Sequence, residues 1–203
     1  MQSSLSIKTV TGSRLMPYTD SLASLRIEVF REFPYLYDGS QEYELSYLKT
    51  YLNSENSIAV LVMDGDQVVG ASTGLPMTDE EEDFRRPFQK HGLNPENYFY
   101  CGESILKREY RGRGIYRRLF EERESHAKKI SGIHFTCFCA VQRPDDHPLR
   151  PDDYQPLDPI WQKYGYKKKP ELRTTYRWKD IDEESESDKI MVFWVKEITS
   201  FSG

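Results

Sequence analysis

The 203-residue chain lacks long apolar runs, a basic surplus and a cysteine framework. No run approaches the about 18 apolar residues of a membrane-crossing helix, and mean hydropathy is −0.73, so no membrane partner is expected. Lys and Arg number 28 against 33 Asp and Glu, a formal net charge of −5. Nucleic-acid binding needs a cationic surplus, so nucleic acid is not an expected partner either. Three cysteines (Cys101, Cys137 and Cys139) are an odd number with no framework spacing. They point to reduced thiols and a cytoplasmic protein. The first residues lack the charged and apolar regions of a secretory signal. There is no internal repeat and no low-complexity linker, so one domain over 1–203 is expected. What the chain does have is aromatics: 14 Tyr, 10 Phe and 3 Trp, 13% of residues in a hydrophilic sequence.

Periodicity sets the expected elements. Leu5, Ile7 and Val10 suggest a first strand. Leu22, Leu25, Val29 and Phe33 fall at helical spacing, with Pro34 as the stop. Ser40 is the expected N-cap of a second helix carrying Tyr43, Tyr47, Leu48 and Tyr51. The apolar runs 57–63 and 67–75 flank Asp64-Gly65-Asp66 and read as a hairpin. The polar stretch 76–97 is too long for a simple connection and reads as an excursion with a short helix. A buried strand over 98–106 follows, then a helix ended by Gly132, a strand over 134–141, a short helix near 158–164 and strands over 172–178 and 190–198. The six acids of 180–189 read as a solvated loop. This order predicts an α/β fold: a mixed, largely antiparallel central sheet with flanking helices, in which 98–106 and 134–141 run parallel.

Between those two strands stands Y-R-G-R-G-I-Y-R-R-L-F, residues 110–120. Gly112 and Gly114 admit backbone angles closed to other residues. The first-turn N–H groups of the helix that follows lack intrahelical partners and face the positive end of its dipole. Arg111, Arg113, Arg117 and Arg118 add positive charge. A diphosphate fits such a turn. The G-x-x-x-x-G-K-[ST] phosphate loop is absent. A dinucleotide fingerprint fails because Arg117 fills its third small position. The segment Arg111-Gly112-Arg113-Gly114-Ile115-Tyr116 instead resembles the R/Q-x-x-G-x-G/A signature of the GNAT superfamily of N-acetyltransferases. Tyr116 departs from it, standing where Gly or Ala is usual.

The resemblance implies a GNAT-like fold with 98–106 and 134–141 as its splayed parallel strands and acetyl-CoA as cosubstrate. It implies that the backbone at Ile105, Leu106 and Lys107 meets the pantetheine arm, and that Leu106 polarises the thioester carbonyl. Backbone from Arg111 to Tyr116, with Gly112, Arg113, Gly114 and Ile115, would hold the pyrophosphate. An amine acceptor must lose a proton before it attacks. Glu103 is the first candidate base, an acid inside an apolar strand, expected to share a face with Cys101 and Ile105. A structural salt bridge to an Arg is the competing role. His147, in the loop after the second splayed strand, is the second candidate. Relatives often place a proton-donating Tyr where this chain has Trp161, in W-Q-K-Y-G-Y, so either Tyr164 or Tyr154 substitutes or the thiolate leaves as such. His134, Cys137 and Cys139 are too few and wrongly spaced for zinc, and no metal is expected.

The implied function is transfer of an acetyl group from acetyl-CoA to a primary amine, that of a small molecule first, by direct transfer in a ternary complex. A protein lysine or N-terminal acetyltransferase and a non-catalytic acyl-CoA-binding module are the alternatives. The acceptor site should draw on the first two helices, the 76–97 excursion and the loop 142–156. Phe33, Tyr35, Tyr37, Tyr43, Tyr47, Phe84 and Phe88 fall there, with Glu42, Glu44 and the acids of 80–83, as partners for a cationic or aromatic amine. Whether two copies form a homodimer is left open.

Overall fold

The computed structural model describes residues 5–198. Its elements are β1 (Ser6–Val10), α1 (Thr19–Phe30), α2 (Gln41–Asn53), β2 (Ile58–Asp64), β3 (Gln67–Pro76), α3 (Glu82–Lys90), β4 (Tyr98–Tyr100), β5 (Ser104–Leu106), α4 (Ile115–Ala127), β6 (Phe135–Val141), α5 (Asp158–Lys163), β7 (Lys167–Trp178) and β8 (Ser187–Glu197). The sheet runs β1-β2-β3-β4-β6-β8-β7, with β5 also on β3. Its pairs are antiparallel except β4 and β6, which run parallel with Tyr98 opposite Phe135 and Tyr100 opposite Cys137. This is the mixed α/β sheet with flanking helices that the sequence predicts. No helix among the described residues is long and apolar enough to cross a membrane.

Local chemistry sets several element ends. Ser40 caps α2, its Oγ accepting the Tyr43 N–H at 3.3 Å. Gly65 turns the β2–β3 hairpin at φ +58°. Helix α1 closes at Arg31 instead of running on to Phe33, which corrects the expected end. The excursion holds α3, which buries Phe84 and Phe88 against Tyr98, Tyr100 and Phe193. The acidic loop is not wholly solvated. Asp180 is buried between Arg143 (2.6 Å) and Lys189 (3.1 Å), because a carboxylate enclosed there needs cationic partners.

The run 98–106 is two strands rather than one. Gly102 N–H donates to Thr73 O and Thr73 N–H donates to Glu103 O, each at 3.2 Å, and the alternation of side chains slips by one. Phe99 and Cys101 therefore pack on the α4 side of the sheet, whereas Ile105 packs on the α1–α2 side. Glu103 reaches Arg26 of α1 and shares its face with Ile105 but not with Cys101, a correction to the expected strand face. No side chain fits at the slip. A Cβ on Gly102 would lie 2.0 Å from Tyr51 Oη and 2.8 Å from Thr73 Oγ1.

Candidate active site

The break in the strand opens a gap. The last link across it is Cys101 N–H to Cys137 O, at 2.8 Å. Beyond that point β5 stays with β3, while Phe138–Val141 continues with β8. Along β5 the peptide groups alternate in direction. Glu103 O and Lys107 N–H both bond β3, the latter to Val69 O at 3.0 Å. The Leu106 peptide therefore points the other way, into the gap, and its carbonyl accepts Arg111 Nε at 2.9 Å. Of Ile105, Leu106 and Lys107, it is Leu106 whose N–H is aimed at the gap.

At the foot of the gap lies the glycine turn. Gly112 and Gly114 have φ of +77° and +76°, and Gly114 begins α4 with no side chain capping it. A Cβ on either glycine would meet nothing within 4 Å. Exposed Arg111 bonds Glu32 at 2.9 Å, and Arg113 donates to Glu109 O at 2.9 Å. The turn thus offers uncapped N–H groups, open space above them and local positive charge, the requirements of a diphosphate. Gly114→Ala should destabilise the fold by about 1 kcal/mol through the left-handed angle and weaken CoA binding by about ten-fold or more. Denaturant unfolding and calorimetric titration with CoA check the two effects.

On the far side of the sheet, next to the gap, is an aromatic chamber. Gly102 and Cys139, one from each side of the gap, lie in its wall. Tyr35 stacks on Trp178 at 6.0 Å, Phe84 packs on Tyr100 at 5.0 Å, and the hydroxyls of Tyr43 and Tyr176 bond each other. Tyr35, Tyr37, Tyr43, Tyr47 and Phe84 line it, as the sequence suggested. Phe33 does not; it packs on Tyr154 (4.7 Å) and His147 (5.7 Å). Phe88 is core. Sequence reasoning missed Tyr176 and Trp178. They fall on one face of β7 by period 2, a signal that was present but gave no destination. Arg143 holds the wall together by donating to Pro34 O and Tyr35 O, each at 2.7 Å.

One buried acid, Glu44, lies in the chamber wall, and Glu103 and Glu80 are buried behind it. Arg26 pairs with both Glu44 and Glu103 and lies over the Tyr47 ring at 4.3 Å. Burial pushes the Glu103 carboxyl up, and Arg26 pulls it only part of the way back. Thr73 faces the same carboxyl. Glu80 is 3% exposed. Its Oε2 accepts the Glu81 N–H at 2.9 Å, and its Oε1 has no partner. Burial pushes its carboxyl up to about 7. Glu42 is exposed. Burial pushes the Cys139 thiol up to about 12, so it is protonated at neutral pH and no nucleophile.

The family model described as the acetyltransferase (GNAT) family matches residues 22–150. The chain belongs to the GNAT family of acetyltransferases. No curated protein sequence matches it. Among solved structures it resembles Arabidopsis thaliana NAA60 in complex with acetyl-CoA, at 13% identity and TM-score 0.60 over 96% of this chain and 99% of that one. It also resembles the loading GNATL domain of CurA from Lyngbya majuscula, at 14% identity and TM-score 0.61 over 96% and 98%. An N-acetyltransferase from Staphylococcus aureus Mu50 matches at 11% identity and TM-score 0.61 over 97% and 100%. In this GNAT chain Trp161 donates its indole N–H to Tyr116 Oη at 3.2 Å. Tyr116 thereby joins the aromatic cluster with Phe120 and Tyr164. Tyr164 packs on Phe120 at 5.0 Å and on Tyr116 at 6.4 Å, on the α4 side. His147 lies in the loop 142–156, its Nδ1 accepting the Leu149 N–H at 3.2 Å.

Proposed function

We propose that the protein transfers the acetyl group of acetyl-CoA to the primary amine of a small molecule, directly, in a ternary complex. The observation that carries this reading is the strand gap itself, which has an uncapped glycine turn at one end and the aromatic chamber beside it. The backbone from Arg111 to Tyr116 suits the diphosphate, and the Leu106 N–H suits the thioester carbonyl, an oxyanion-type contact. Bound in the gap, acetyl-CoA supplies a carbonyl carbon for the amine nitrogen to attack. The ammonium first gives its proton to the buried acids. Glu103, beside the gap, is the acceptor, and Glu80, coupled to it and with a pKa near neutrality, is the group suited to share the proton. His147 has its Nδ1 lone pair engaged, so the proton is assigned to the acids. Tyr164, three residues after Trp161 in the chain, is the tyrosine assigned to the thiolate. A thiol with an ordinary pKa near 8.5 needs little help to leave as thiolate.

The chamber's cavity of about 80 Å³ favours a small acceptor over a peptide. Release of free CoA thiol, followed with a panel of monoamines, polyamines, amino acids and N-terminal peptides, tests this. Release with small amines and none with peptides is expected. Release only with peptides would make the protein a protein acetyltransferase. If acetyl-CoA bound and no acceptor released thiol, the reading would give way to a binding module.

A further inference from the structure

Three buried carboxyls, Glu44 in the chamber wall and Glu103 and Glu80 beside it, share one guanidinium there, that of Arg26. Glu44 is fully buried and lies in the chamber wall. Its Oε2 pairs with Arg26, while its Oε1 accepts no hydrogen bond of ordinary geometry, with the Tyr37 phenol facing the carboxylate. Glu103 and Glu80 add two further buried carboxyls, each with one oxygen unbonded. Arg26 of α1 is the guanidinium that answers them from within the chamber wall. Arg123 of α4 acts on Glu103 from the opposite face of the sheet, where it is bonded to Ser72 and Ser104. Arg143 and Lys189 come within 6 Å of the Trp178 ring, but both pair with Asp180. A buried carboxylate oxygen left without a donor is costly unless a ligand supplies one.

The walls supply the rest of a cation site. Aromatic faces attract an ammonium most strongly where water is excluded. The cavity of about 80 Å³ matches the volume of about three waters. That suits a compact amine and excludes a long, multiply charged chain from lying wholly inside.

We propose that the chamber takes its acceptor as a compact, singly charged organic ammonium, held between the tyrosine and tryptophan faces with the Glu44 oxygen that Arg26 does not hold as its counter-charge. The proposal rests on the acetyltransferase reading for the word acceptor, but cation binding is testable without turnover. Trp178 lines the chamber, so its fluorescence reports occupancy.

The experiment titrates the full-length protein with tetramethylammonium, which cannot be acetylated, and with tert-butanol, a neutral molecule of the same shape. Acetyl-CoA binding is followed separately by thermal shift. Saturable quenching by tetramethylammonium is expected, with an affinity at least about ten-fold above that for tert-butanol. The signal should be lost in Trp178→Phe and weakened several-fold in Glu44→Gln. Equal affinity for the two probes, or no saturable binding of the cation, overturns the proposal. The comparison of probes on the unaltered protein stands even if Glu44→Gln fails to fold. If acetyl-CoA binds while the cation does not, only this proposal falls. If the cation binds while acetyl-CoA does not, the acetyltransferase reading falls.

Discussion

Arg26→Met should cost about 3–5 kcal/mol of folding stability, measured by denaturant unfolding at pH 8. Removing one partner of a buried ion pair leaves the other charge enclosed without compensation. Here one guanidinium serves two carboxylates, Glu44 and Glu103, both almost wholly buried. Methionine fills much of the volume, so the loss reports charge more than packing. The contacts of the guanidinium with the Tyr47 and Phe30 rings, at 4.3 and 5.1 Å, disappear with it. The stranded carboxylates can escape by binding protons, so the deficit should shrink toward pH 5. Adding Glu44→Gln and Glu103→Gln to the variant should restore much of the loss. A cost below about 1 kcal/mol at pH 8, or one independent of pH, would show that the triad contributes no net buried charge.

The second large effect has the opposite sign. Glu80→Gln should stabilise the protein by about 3 kcal/mol at pH 8 and by almost nothing at pH 4.5. The folded state holds the Glu80 proton with a pKa of about 7, against 4.5 for an ordinary glutamate. Each pKa unit is about 1.4 kcal/mol. Because the folded value is the higher one, the stabilising contribution is complete below pH about 4.5 and lost as pH rises through about 7. Glutamine stays neutral throughout, so its advantage grows over that same interval. The groups around Glu80 agree with a site that disfavours its charge. Beside burial, the charges of Glu81 and Glu103 raise its pKa, and the Glu81 N–H and, more weakly, Arg26 of α1 oppose them. Tyr47 and Tyr51 of α2, Tyr100 of β4, Cys139 of β6 and Tyr176 of β7 each register its charge. Unfolding curves at the two pH values decide the matter. An equal increment at both would mean that the substitution acts through packing.

What the sequence made legible was local. Gly112 and Gly114 lie between a strand and an amphipathic helix, and the turn they make depends on their own backbone freedom. The Ser40 cap and the Asp64-Gly65-Asp66 hairpin are likewise settled within a few residues. The break between β4 and β5 was not legible. Its cause is the pairing of Gly102 and Glu103 with Thr73, about 30 residues away, and a run apolar on both faces hides a one-residue slip. That slip turns Glu103 toward Arg26, so the ion triad was hidden with it. Tyr176 and Trp178 reach the chamber through the register of β7 on β8, which no local pattern fixes. Asp180 was read as solvated because its partners, Arg143 and Lys189, come from distant parts of the chain.

The central claim is that the gap between β5 and β6, with the glycine turn at its foot, holds acetyl-CoA. Thermal unfolding of the full-length protein with and without acetyl-CoA tests it most directly. At a hundred-fold excess over the dissociation constant, binding to the folded state adds about 2.7 kcal/mol. For a chain of this size that is a rise of about 5–10 °C in the midpoint, and Gly114→Ala should need more ligand to reach it. An unchanged midpoint at millimolar acetyl-CoA would contradict the account.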